Sequence, residues 1–306
     1  MQAKRKIWMM SCLTTVLVVV VKLSLPAPIK NTELRNEFWL RKTYAQPIYD
    51  LVVGGDSRIY RGVSTHAINE ELSPQLEAIN LGYSSAGYNQ EYLDFLVGRL
   101  SPTGNKILVL GVSPHSFTLE GAKNELYHKH LDKGSFDLFK GLYLSKYLKH
   151  FEPYKASELK DYLFNGSAQE VYFEDFQDDG WVHSYRLPED SLTAIDIYRK
   201  LFTDYQVSDT LISNFLVQVA EIEASGIEIV AFRPPTFDMM TDLENSLSGY
   251  SESYMWKEME LRGCTWIDLD PSEFHTYDGS HLHFESAQKL SRIIGRQVKF
   301  LLDSKQ

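Results

Sequence analysis

Five short, nearly unbroken apolar runs punctuate this chain: PIYDLVVGGDS, LEAINLGYSSAG, NKILVLGVS, GIEIVAFRPP and GCTWIDLD. Each closes on glycine, serine, proline or aspartate and so reads as a strand followed by a turn. Strands without polar alternation fit a parallel sheet covered on both faces. Between them the apolar period lengthens to that of a helix, over 86–99, 208–225 and 284–303. The pattern predicts an α/β fold in three layers, α/β/α. In such sheets ligands bind beyond the carboxyl ends of the strands, so the five strand-end loops are where chemistry is expected.

The first 26 residues follow another rule. Lys4, Arg5 and Lys6 precede IWMMSCLTTVLVVVVKLSLP, an apolar run of the length that crosses a bilayer. The basic end is expected to stay cytoplasmic and the remainder to face outward, in the periplasm or at the cell surface. Lys22 can snorkel to the headgroups, and Pro26 and Pro28 stop the helix. SLPAP is a poor small-x-small cleavage site, which favours an uncleaved anchor over a removed signal peptide. The expected division is an anchor over 1–29 and one domain over 30–306. KNTELRNEFWLRKTYAQ, residues 30–46, reads as an amphipathic stalk or first helix between them.

Composition narrows the function. The chain has 306 residues, 43% hydrophobic and 24% charged, enough for a sizeable core. A net charge of -10 argues against a broad nucleic-acid surface, which needs clustered lysine and arginine. Of the two cysteines, Cys12 falls in the anchor and Cys264 in an apolar segment, so no disulfide framework is expected. Without a CxxC pair, a structural zinc site is not expected either. His128-x-His130 and His281-x-His283 lack a third ligand at metal-type spacing, so no metal or other cofactor is expected.

The first strand-end loop carries the strongest candidate. Gly54 and Gly55 allow a tight strand-to-helix turn, Asp56 can cap the helix, and Ser57 sits at its start, facing N–H groups and the positive end of the dipole. A serine there is ordinarily only part of a cap. Independent support comes from TYDGSHLHFESAQKL, where Asp278 and His281 stand three residues apart before the last amphipathic helix. That spacing lets a carboxylate hold one imidazole nitrogen while the other faces a hydroxyl, as a base-activated serine requires.

Gly55-Asp56-Ser57, the Asn80-Leu81-Gly82 loop and Asp278-x-x-His281 together resemble the SGNH or GDSL hydrolase family. Ile59 stands where the α/β-hydrolase elbow would need glycine, so the resemblance is to the other fold, with a flavodoxin-like parallel sheet. It implies a catalytic triad of Ser57, His281 and Asp278, and an oxyanion hole that includes the N–H groups of Ser57 and Gly82. The family's third donor, an asparagine, has no counterpart, because NKILVLGV leads into SPHSF. Loss of such a donor costs on the order of 3 to 4 kcal/mol of barrier. Ser113, His115 and Ser116 are the residues at hand to replace it.

The missing asparagine and the anchor make the chain similar to the family's extracytoplasmic acyltransferase branch, the DltD-like and alginate-acetylation-type proteins. That resemblance implies transfer of an acyl group, acetyl first, through acyl-Ser57 to a cell-envelope or secreted polysaccharide, in partnership with a membrane-bound O-acyltransferase. Two alternatives stay open: a carbohydrate acyl esterase using the same triad, and a noncatalytic scaffold that binds a membrane partner. An intact triad speaks against the scaffold.

Residues 115–207 interrupt the strand and helix alternation with a mostly helical, aromatic-rich insertion of roughly 90 residues, holding nine of the 18 tyrosines and Trp181. Sugar stacking is one role for these rings, and the insertion's own small core accounts for most of them. Arg58 and Arg233 read equally as ion-pair residues or anion contacts. The sequon at 165–167 has no role in a bacterial-type envelope protein. No internal repeat is expected, SFDLFKGLYLSKYLKHFEPYKASELKDYLF being helically periodic instead.

Overall fold

The computed structural model describes residues 2–24, 32–152 and 171–304. The stretch beyond Ser24 that holds SLPAP and the sequon at 165–167 lie outside them. The chain divides into two compact units, Met1–Leu40 with Lys133–Gln169, and Arg41–Asp132 with Glu170–Gln306.

The second unit is α/β. Its strands are β1 (Leu51–Gly54), β2 (Ala78–Asn80), β3 (Ile107–Gly111), β4 (Val171–Phe176), β5 (Val182–Leu187), β6 (Glu228–Phe232) and β7 (Thr265–Trp266). Five form one parallel sheet in the order β2-β1-β3-β6-β7, and they are the five apolar runs of the sequence. Consecutive residues along the strands are buried: Leu51, Val52 and Val53 in β1, Leu108, Val109 and Leu110 in β3, Val230 and Ala231 in β6. That is why no polar alternation marks them. Leu51, Val53, Val109 and Val230 join Leu290, Ile294 and Val298 of the Phe284–Asp303 helix in one core cluster. Each such side chain contributes roughly 1.5–3 kcal/mol through removal from water.

The helices start where side chains can replace missing backbone acceptors. Asn89 Oδ1 accepts from Tyr92 N at 2.8 Å to open Gln90–Val97, and Ser208 Oγ accepts from Leu211 N to open Asp209–Ala224.

Among the described residues of 115–207, the expected mostly helical character fails in one place. Helical turns cover much of 114–151 and 193–204, but β4 and β5 pair antiparallel, Val171 to Leu187 through Phe176 to Val182. The two strands are joined by a turn in which Gln177 N donates to Trp181 O and Gly180 N to Gln177 O. VYFEDF and VHSYRL mix charge into both faces, so neither gives the clean period of two that marks a half-buried strand.

The first unit contains Gln2–Ser24, the one helix among the described residues long and apolar enough to cross a membrane. Its side chains are exposed from Lys4 almost throughout. Residues 32–43 form the expected first helix, in which Phe38, Trp39 and Leu40 are buried.

Candidate active site

β1 delivers Ser57 to the carboxyl edge of the sheet. Gly55 takes φ 147°, and a Cβ there would lie 2.4 Å from Ile59 Cγ1, so no larger residue fits this turn without displacement. Asp56 Oδ1 then accepts from Arg58 N at 2.9 Å and caps the Ser57–Gly62 helix. Ser57 is the first residue of that helix, in the turn whose N–H groups have no intrahelical acceptor.

The loop before the last helix supplies the partners. Gly279 takes φ 84°, and a Cβ there would meet the backbone of another segment, Ser191 O, at 2.1 Å. Asp278 Oδ1 accepts from the N–H groups of Ser280 and His281, at 2.9 and 2.7 Å, and Oδ2 lies 2.7 Å from His281 Nδ1. With Nδ1–H committed to the carboxylate, His281 Nε2 is an acceptor, 2.9 Å from Ser57 Oγ. Serine, histidine and aspartate thus form one continuous chain of hydrogen bonds.

Electrostatics favour the reactive protonation states. Burial lowers the His281 pKa from its ordinary value, Asp278 opposes this, and the Arg61 guanidinium pushes it down again. Burial acts to raise Asp278, but His281 and the N–H groups aimed at its oxygens overcome it and hold the carboxyl well below its usual range. The neutral imidazole is the form that can take a proton from serine.

Arg61 is the residue that sequence reasoning missed. Its Nη1 lies 3.1 Å from His281 Nε2, and Nη2 donates to Glu174 Oε1 at 3.1 Å. The guanidinium lies 4.8 Å from the Tyr60 ring and 5.4 Å from that of Tyr172. Tyr277 stacks on His281 with ring centroids 5.9 Å apart, and its hydroxyl meets that of Tyr172 at 3.2 Å. The β4–β5 hairpin therefore supplies Glu174 and Tyr172, and its Trp181 ties Nε1–H to Arg61 O at 2.8 Å. One signal could have found Arg61: four residues after Ser57, it shares that helical face.

The expected oxyanion donors fare differently. Gly82 N–H donates to Asn80 Oδ1 at 2.9 Å, and Gly82 O accepts from the buried Lys42 Nζ at 2.6 Å. Its N–H is therefore engaged within its own loop in this arrangement. Ser113 Oγ donates to Asp56 Oδ2 at 2.5 Å and meets Ser116 Oγ at 3.1 Å, so it too is engaged. His115, in the same loop, is buried, and burial lowers its pKa although Asp56 and a hydrogen bond to the Ser85 backbone act to raise it. Of the three residues expected to replace the third donor, Ser113, His115 and Ser116, all are buried, and the two serine hydroxyls are hydrogen-bonded.

Arg58 and Arg233 resolve as ion-pair residues. Glu244, fully buried, accepts from Arg58 Nη2 at 2.6 Å and from Arg233 Nη2 at 2.9 Å. Arg58 Nε also donates to Ser280 Oγ at 3.1 Å, fastening the start of the Ser57 helix to the His281 loop. Burial would raise the Glu244 pKa, and the two arginines lower it.

Among the described residues, no three His, Cys, Asp or Glu side chains gather as a metal site. His128 faces Glu91 at 3.3 Å and His130 Nδ1 faces Leu126 O at 2.8 Å, so the two imidazoles have separate partners. No protein-family model matches this chain, and no curated protein or solved structure is significantly similar to it.

Proposed function

We propose that this protein is a serine-dependent acyltransferase that passes an acyl group, acetyl in the simplest case, through acyl-Ser57 to a hydroxyl of an envelope or secreted polysaccharide. The observation that carries the reading is the chain Ser57 Oγ to His281 Nε2 at 2.9 Å and His281 Nδ1 to Asp278 Oδ2 at 2.7 Å. The parallel order β2-β1-β3-β6-β7 supports the finer fold reading, because it is the 2-1-3-4-5 order of flavodoxin-like sheets expected of an SGNH-type domain.

The chemistry runs in two halves. As Ser57 Oγ bonds to the acyl carbon, His281 Nε2 takes the hydroxyl proton, and the imidazolium then gives it to the leaving group as the carbon–leaving-group bond breaks. In the second half a sugar hydroxyl loses its proton to His281 and attacks the ester carbon, and the proton returns to Ser57 as the Oγ–carbon bond breaks. Asp278 keeps the imidazole oriented and stabilises its charged form. The Ser57 N–H, in the first turn of its helix, is the donor offered to the oxyanion.

The apolar helix Gln2–Ser24 supports a membrane-tethered enzyme with its α/β unit outside and a membrane-bound O-acyltransferase as donor-side partner. The test is intact mass of the detergent-solubilised chain after fluorophosphonate treatment. One adduct, absent from Ser57→Ala, is expected, and a folded wild-type chain that takes none sinks the nucleophile assignment. Incubation with p-nitrophenyl acetate and a hexose oligosaccharide then separates transfer from hydrolysis. An acetylated sugar supports the transferase, whereas acetate alone makes the protein an esterase.

A further inference from the structure

Among the described residues, the first unit carries a stripe of exposed aromatic side chains. Ser135–Phe139, a π turn over Lys140–Leu144, Ser145–Leu148 and a 3-10 turn over Lys149–Phe151 follow one another without a break. Along them Phe136, Phe139, Tyr143, Tyr147 and Phe151 recur at intervals of three and then four residues, on one helical face. They are 74%, 52%, 63%, 60% and 49% exposed. The opposite face is closed. A Cβ on the buried Gly141 would meet Leu40 Cδ1 at 2.1 Å, and Ser145 Oγ donates to Glu33 Oε2 at 3.3 Å. The aromatic face is therefore not core, and a patch of this kind marks an interaction surface.

Its neighbour in the same unit identifies what covers it. The Gln2–Ser24 helix ends against the end of the stripe: Lys22 Nζ donates to Glu152 O at 2.5 Å, and the Glu152 carboxylate accepts from Thr32 N and Glu33 N at 3.1 and 3.0 Å. Lys22 is the residue placed to reach the headgroups at the end of the apolar run. The last turn of the stripe is thus held where that run leaves the hydrocarbon. Lys146, with Nζ 5.1 Å from the Tyr147 ring, and Lys149 flank the aromatics with positive charge on an otherwise acidic chain. Aromatic rings with flanking lysines are the side chains that favour the interface of an anionic bilayer.

We infer that residues 135–151 form an interfacial membrane helix, laying the Phe136–Phe151 stripe among the headgroups beside the anchor. The occupant of the surface is the lipid bilayer rather than another protein. The inference rests on Gln2–Ser24 crossing a membrane, one element of the function proposed above, and is independent of the chemistry at Ser57. It gives the aromatic residues of this stretch a lipid role in place of the sugar-stacking role considered for the insertion.

The test uses the full chain in vesicles of phosphatidylcholine and phosphatidylglycerol. Single-cysteine variants Phe139→Cys, Tyr147→Cys, Leu13→Cys and Phe300→Cys, made with Cys12→Ser and Cys264→Ser, carry an environment-sensitive fluorophore. Quenchers are lipids with a nitroxide near the headgroup, lipids with one deep in the chain, and aqueous iodide. Labels at 139 and 147 are expected to be quenched most by the shallow nitroxide, the label at 13 by the deep one, and the label at 300 by iodide alone. If 13 is quenched by lipid while 139 or 147 answers only to iodide, the anchor stands and the interfacial helix is overturned. Shielding of 139 and 147 from both lipid and iodide assigns the stripe to a protein partner and also overturns it. If 13 itself answers only to iodide, the premise fails and the inference with it. None of these outcomes bears on fluorophosphonate labelling at Ser57, so the two readings fail separately.

Discussion

Arg61 Nη1 lies 3.1 Å from His281 Nε2, the same nitrogen that receives Ser57 Oγ at 2.9 Å. A permanent cation beside a catalytic base disfavours its protonation, so Arg61 acts to keep the imidazole neutral. The proposed chemistry calls for the base form of His281, whose pKa is lowered, so labelling of Ser57 should persist below the ordinary histidine pKa of about 6.5 and fall only in more acidic buffer. Arg61→Gln removes the cation, raises the His281 pKa and moves that acidic limb to higher pH, whereas Arg61→Lys leaves it closer to wild type. Fluorophosphonate labelling rates across pH measure both. An unmoved limb in Arg61→Gln sinks the assignment.

Asp278→Asn keeps the size of the side chain but loses the carboxylate that fixes the His281 tautomer. Labelling of Ser57 is expected to slow by about 10⁴-fold, the scale of the corresponding substitution in serine proteases. The unfolding transition should change little by comparison. Near-wild-type labelling would show that Asp278 does not orient the base.

Glu244→Gln leaves Arg58 and Arg233 buried beside a neutral amide. Breaking a buried pair in this way costs about 3–5 kcal/mol. At about 2–4 °C per kcal/mol for a domain of this size, Tm should fall by roughly 10 °C. Differential scanning calorimetry checks it, and a fall of only a degree or two would mean that the arginines find water instead.

Gly55→Ala forces φ 147° on a residue with a Cβ and drives that Cβ to 2.4 Å from Ile59 Cγ1. Such strain costs about 1–3 kcal/mol. Because the same turn carries Ser57, the labelling rate should fall along with Tm. Lost stability with an unchanged rate would show that the turn relaxes without moving the serine.

Much of this protein is written locally. Unbroken apolar runs locate the five sheet strands, and the helical period locates Gln90–Val97, Asp209–Ala224 and Phe284–Asp303 within a few residues of the spans read from sequence. Ser57, Asp278 and His281 were legible because strand-end loops of a parallel sheet converge on one edge, and because a carboxylate and an imidazole three residues apart share one turn. Charge segregation gave the Lys4–Ser24 helix in the same way.

What the sequence could not give is what two distant residues do to each other. Arg61 meets His281 across 220 positions and Glu174 across 113, and nothing periodic connects them. The β4–β5 hairpin that carries Glu174 was hidden by its mixed polarity. Gly82 matched a motif, yet its N–H belongs to Asn80, because a donor's partner depends on where a neighbouring side chain turns. Arg58 and Arg233 were ambiguous until Glu244 was found between them. Periodicity reports which face of an element is buried, and it fixes elements one at a time. Ion pairs and hydrogen bonds depend on distances between elements, so only the tertiary structure decided which charges meet at Ser57.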